Sequence, residues 1–167
     1  MQNKINITFP DQSERKFDYE TTGYEIASSI SKGLAKQAIL IELDGNVKDL
    51  SFPVKTDSKI KILKKDADEA LEVIRHDCAH VMAEAVQKLF PGTQVTIGPA
   101  IENGFYYDFS FKVPFSDRDL EKVEKKMAQI IDENQSFVRE EWKRSHAIEY
   151  FEKIGEKYKV EILKDIP

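Results

Sequence analysis

His76 and His80 stand four residues apart in Val73–Phe90, VIRHDCAHVMAEAVQKLF, with Cys78 between them. In a helix, about 100° per residue places such a pair on one face, one turn above the other. Two imidazoles so arranged can bind a metal or move protons near neutral pH; they can equally be packed and hydrogen-bonded at a domain edge. A stable zinc site needs at least one ligand more. The remaining histidine, His146, lies outside any such spacing, and Cys78 points to the core side of the helix, so no metal site is expected.

The helix that would carry the pair is amphipathic. Leu71, Ile74, Cys78, Val81, Met82, Ala85 and Leu89 fall in one broad apolar arc, and Asp77, Glu84 and Lys88 on a solvated side. The histidines project into the sector between, beside Ala83 and Gln87, where small or neutral side chains leave room for a cleft. Asp66 or Asp68 is a candidate cap, and Pro91-Gly92 is the stop.

The 167 residues carry a net charge of −5, which argues against wrapping nucleic acid by bulk electrostatics. The charge is uneven: residues 1–64 carry net +1 and residues 65–167 net −6, as expected of two units with different surfaces. One cysteine rules out an internal disulfide and suits a reducing compartment. No run of signal-peptide or membrane-span character is present, so a soluble cytoplasmic protein is expected.

In residues 1–64 the pattern is strand–strand–helix–strand–strand. Lys4–Phe9 alternates, Pro10–Ser13 is turn chemistry, and Arg15–Tyr19 completes a hairpin. Thr21 or Thr22 caps a helix over Tyr24–Ser31, with Gly33 as its stop. Ala38–Leu43 is an apolar strand ending at the tight-turn signal Asp44-Gly45; Val47–Leu50 and Lys59–Leu63 follow. A small sheet gripping one helix results. Lys55, Lys59, Lys61, Lys64 and Lys65 form a basic set that could touch phosphate, or simply protect a strand edge.

Beyond the charged junction Lys64–Glu69 comes the histidine helix, then Gln94–Phe111, QVTIGPAIENGFYYDFSF. Asn103-Gly104 is a hairpin signal, and Gly98-Pro99 marks a break in its first arm. Tyr106 and Tyr107 point to opposite faces. Ser116, with Asp119 three residues on, opens a long helix with Leu120, Val123, Met127, Ile130 and Ile131 as its stripe. Phe137–Trp142 reads as extended. Ser145 caps a helix to Ile154, stopped by Gly155, and Lys157–Leu163 reads as a final strand.

ITFPDQSERKFDYETTGYEIASSISKGLAKQAILIELDG resembles the TGS domain, a ubiquitin-like β-grasp module of threonyl-tRNA synthetases, some GTPases and stringent-response enzymes. RHDCAHVMAEAVQKLFPGTQVTIGPAIENGFYYDF, a long charged helix and GEKYKVEIL together look like the editing domain that follows it in bacterial threonyl-tRNA synthetases. The resemblance implies an α+β chain: a TGS domain over 1–64, then a mixed α+β editing domain over 65–167, truncated at its C-terminal side. It implies hydrolysis of serine wrongly attached to threonine tRNA, since one methyl discriminates weakly in a synthetic pocket. By motif position, His76 and His80 form the imidazole pair, with His76 organising water near the 3′-terminal ribose. Lys159 contacts substrate or the attacked carbonyl, and Tyr107 lines the pocket.

The family completes this site with a CxxxH motif that this sequence does not contain, so an N-terminal fragment with half a site is expected. No cofactor is expected in the fragment; ATP, magnesium and zinc belong to the family's synthetic core, as does homodimer formation. The competing reading is a non-catalytic, TGS-containing RNA-binding or regulatory protein.

Overall fold

The computed structural model describes residues 4–111 and 116–166. They fold as an α+β chain of two compact units, Met1–Val73 and Ile74–Pro167.

In the first unit, β1 (Lys4–Thr8) pairs antiparallel with β2 (Glu14–Asp18), Ile5 opposite Phe17 and Ile7 opposite Arg15. After β3 (Thr21–Thr22) come α1 (Gly23–Ile30) and α2 (Lys32–Gln37). Strands β4 (Ala38–Leu43), β5 (Asn46–Asp49), β6 (Pro53–Val54) and β7 (Ser58–Lys64) complete it. The sheet order is β2-β1-β7-β4-β5, with β1 and β7 parallel. Alternation sends Ile5, Ile7, Ile41 and Ile60 to one side of this sheet, where they meet Ile26 of α1. Thr22 caps α1: its hydroxyl accepts from Glu25 N–H, and the Glu25 carboxylate accepts from Thr22 N–H at 2.8 Å. The β4–β5 turn has Asp44 and Gly45 at φ 49° and 81°, both in the left-handed region that a two-residue hairpin turn requires.

Gly33 does not stop α1. Ser31 does, in extended conformation, and its hydroxyl then accepts from Leu34 N–H at 3.0 Å to cap α2. One serine closes one helix and opens the next, and Gly33 lies inside the second.

The division between the units falls inside α3 (Asp68–Leu89). Asp68 lies in its first turn rather than before it, and Asp66 pairs instead with Lys64 at 3.5 Å; Leu71 N–H donates to Ala67 O, so neither aspartate occupies the cap position. Ala67, Ala70 and Val73 pack with Leu40 and Leu63.

In the second unit, β8 (Gln94–Val95) pairs with β11 (Phe109–Ser110), and between them β9 (Ala100–Ile101) pairs with β10 (Gly104–Phe105). Ile101 lies opposite Gly104, so Glu102 and Asn103 form the turn and Gly104 begins the returning strand. Helix α4 (Asp117–Asp132) lays Val123, Met127 and Ile130 on Ala85, Val86 and Leu89 of α3. Leu120 and Ile131, at the margins of its stripe, are exposed. Ser116 N–H and hydroxyl both donate to the Asp119 carboxylate.

Residues 137–142 form no regular strand, and Phe137 is 96% exposed. Helix α5 (Arg144–Lys153) starts at Lys143, without a side-chain cap, so Ser145 sits inside its first turn. The final segment is a helix, α6 (Lys157–Asp165), not a strand. Tyr158, Val160 and Ile162 alternate, but only Val160 is buried and Ile162 is exposed; Val160 N–H donates to Glu156 O, the four-residue bond of a helix. A short apolar run fits either period, and here the local backbone bonds and the packing of one residue per turn prevail.

Candidate functional site

The pair sits on the exposed side of α3, where four-residue spacing stacks the two rings. Their Nε2 atoms are 2.9 Å apart, and the rings meet edge to face at 84° with centroids 4.5 Å apart. With both rings neutral, such a contact requires one Nε2–H to donate to the other Nε2, and the rings then hold opposite tautomers. One Nδ1 is then a free base and the other a free N–H donor. Burial pushes His80 below the ordinary histidine value; His76 and Lys159 push the same way, and Asp77 opposes them. His80 therefore stays neutral at physiological pH, ready to accept a proton.

The buried sector of α3 is displaced from the expected arc. Ala79, Ala83, Ala85 and Val86 are buried, whereas Leu71 is 41% exposed. Alanine lets neighbouring backbone come close, so the small residues beside the histidines are covered rather than lining an open cleft. Gln87, two turns beyond His80, is half-buried and donates to Thr93 O at 3.3 Å and to Glu156 Oε1 at 2.6 Å.

Lys159 comes from the first turn of α6. It is half-buried, its Nζ lies 5.4 Å from the centre of the Phe151 ring, and its charge reaches His80. The helix that replaces the expected strand thus brings the charge of Lys159 to bear on His80.

Tyr107 is held by packing. It stacks on Phe109 with centroids 5.0 Å apart, and its hydroxyl donates to Thr96 O at 3.3 Å. A Cβ on Gly98 would lie 2.0 Å from the Tyr107 ring, so only glycine admits the tyrosine there. Burial, then the Glu156 charge, raises the Tyr107 phenol above its ordinary value, and it stays a neutral donor. Tyr106 faces elsewhere, lining a groove of about 520 Å³ with Pro99, Asp108, Tyr158 and Glu161.

The other candidates are engaged elsewhere. His146 stacks on Trp142 at 4.5 Å, and Cys78 is half-buried on α3. Among the described residues no group of three or more His, Cys, Asp or Glu is placed to hold a metal ion. Of the five lysines in the basic set, Lys55, Lys61 and Lys64 pair with Glu20, Glu42 and Asp66. The residue that sequence reasoning missed is Glu156; it follows a glycine at the end of α5, and no spacing marks it.

Comparison with known proteins bears on the chain as a whole. Residues 5–64 match the TGS domain family, and the sheet around α1 is its ubiquitin-like β-grasp. Across its full length the chain is 58% identical to a threonine–tRNA ligase of Agrobacterium fabrum and 56% identical to one of Rhizobium rhizogenes. It is 55% identical over 163 residues, 98% of the chain, to that of Phenylobacterium zucineum. In each case the chain spans about a quarter, 25%, of the relative's length. No described helix is long and apolar enough to cross a membrane.

Proposed function

We propose that this chain is the TGS domain and the first part of the editing domain of a threonine–tRNA ligase, and that its histidine pair serves hydrolysis of serine wrongly esterified to threonine tRNA. Identity of 55–58% with such ligases over essentially the whole chain supports this reading over a free-standing RNA-binding module. The observation that carries the chemistry is the Nε2–Nε2 contact on an exposed helix face, with an ammonium group close enough to act on it.

The reaction needs a base for water, an acid for the leaving ribose hydroxyl, and positive charge for the oxyanion. His76 orients the attacking water near the ribose. The pair's free Nδ1 takes the water proton as the new C–O bond forms. Lys159 stabilises negative charge on the carbonyl oxygen. As the ester C–O bond breaks, a proton passes from the pair to the ribose oxygen, leaving serine and an intact tRNA end. Tyr107 lines the pocket, its ring held against Gly98.

We assign attachment of threonine with ATP, the ATP, magnesium and zinc sites and the homodimer interface to parts of the parent enzyme outside this chain, and a cytoplasmic location to the whole. The second half of the editing site, CxxxH in the family, is assigned likewise.

The test is hydrolysis of seryl-tRNA specific for threonine. The 167-residue chain and a version extended through the CxxxH segment are compared, each with His76→Ala. Activity in the extended protein that disappears with His76 supports the proposal. Failure of both, with tight tRNA binding by the shorter chain, favours a binding module.

A further inference from the structure

Glu156 occupies the cap position of α6, yet its side chain makes no bond to that helix. It reaches across to α3, where Oε1 accepts from Gln87 Nε2 at 2.6 Å. The same Gln87 nitrogen holds Thr93 O, and the next backbone N–H, that of Lys157, donates to Gln94 Oε1 at 3.0 Å. The start of α6 is therefore tied to α3 and to β8 through adjacent residues. The other carboxylate oxygen, Oε2, is sealed from solvent, and no described residue donates to it. A buried acceptor without a donor costs stability, so economy of folding does not explain a carboxylate here. The position suits it in one respect: a helix N-terminus favours negative charge, and a charge-assisted bond to an amide is short and strong.

The placement relative to the chemistry is specific. Gln87 lies seven residues from His80, two turns along the same face of α3 to within about 20°. Lys159 lies three residues from Glu156, in the first turn of α6. We propose that Glu156 is a positioning residue: its bond to Gln87 clamps α6 onto the histidine helix and so sets where Lys159 stands relative to His76 and His80. This rests on the reading of Lys159 and the two histidines as one site, but not on the identity of their substrate.

The experiment is an NMR titration of the His80 ring in the 167-residue chain, without substrate. The charged and titratable groups acting on His80 are His76 and Asp77 from α3 and Lys159 from α6; Glu156 is not among them. Lys159→Met defines the upward shift expected when the ammonium is lost. Glu156→Ala and Gln87→Leu each move His80 upward toward that value, and the two together move it no further, because they break one bond. Glu156→Gln, which keeps an acceptor for Gln87 and removes the charge, leaves His80 near its original value. The proposal is overturned if Gln87→Leu leaves the titration unmoved, if the two changes add, or if Glu156→Gln shifts His80 as far as Glu156→Ala. Should Glu156→Ala fail to fold, Gln87→Leu and Glu156→Gln decide the matter alone. If His80 titrates as described but the protein extended through the CxxxH segment hydrolyses no seryl-tRNA, the clamp is retained and the editing assignment is lost.

Discussion

His76 and His80 form a hydrogen bond through their Nε2 atoms at 2.9 Å, although both are exposed and neither ring is braced by a carboxylate hydrogen bond in the described structure. The proximity is felt at His80, where positive charge on His76 opposes a second proton. The bond's consequence, with both rings neutral, is a site that exposes one acid and one base.

Removing His76 should therefore be felt at His80. His76→Ala deletes a neighbour that lowers His80, so His80 moves up toward the ordinary histidine value of 6.5 while its burial persists. NMR titration of the ring reads this directly. An unchanged His80 would mean that the pair is not coupled in solution.

In the protein extended through the CxxxH segment, hydrolysis should follow neutral His80. With His80 depressed below 6.5, the rate holds level around pH 7 and falls only on the acid side, below 6.5. Lys159→Met moves that acid limb upward and lowers the plateau. A limb above 7 in the unaltered protein would assign the base elsewhere.

Asp119 should give α4 an acid-sensitive start. The Lys122 ammonium, then the Ser116 hydroxyl and N–H, hold its carboxyl at about 2 against the ordinary 3.8. A depressed carboxylate stabilises the fold above its unfolded value, and the contribution is lost as pH falls from 3.8 through about 2. Melting temperatures of Asp119→Asn and the original chain should differ most near neutrality and converge toward pH 2. A constant difference would show that only the side chain's shape matters.

Gly98→Ala should be expelled by Tyr107. The added methyl would lie 2.0 Å from a ring carbon, so either the ring or the loop must move, costing about 1–3 kcal/mol or more. Denaturant unfolding measures the loss, and Tyr107→Ala in the same chain should recover part of it. Equal stability of Gly98→Ala would mean that the loop yields freely.

Ser31→Ala should cost about 1 kcal/mol, the usual value of a lost N-cap, because the hydroxyl that holds Leu34 N–H disappears. The effect appears in the first unit, where α2 presents Ala35 beside Ala27 and Ala38. Protection of the Leu34 amide against hydrogen exchange should fall with it.

Much of this protein is local, and much of what is local was legible, the Ser31 cap and the start of α5 excepted. Alternation at Lys4–Thr8, the turn residues Asp44-Gly45, a threonine cap before α1 and the periodicity of Val123, Met127 and Ile130 each encode their own geometry within a few residues. The histidine spacing belongs to the same class, because a helix brings i and i+4 together whatever surrounds it. The tertiary structure alone decided the rest. Lys157–Leu163 fits strand or helix by its pattern, and in the fold Val160 is buried while Ile162 stays exposed, which alternation does not foretell. Which side of α3 is buried depended on how closely other segments approach its alanines. Glu156 carries no sequence signal because its partner, Gln87, is 69 residues away. Periodicity reports the chain's own shape; it holds no record of what packs against it, and that packing set the face, the clamp and the position of Lys159.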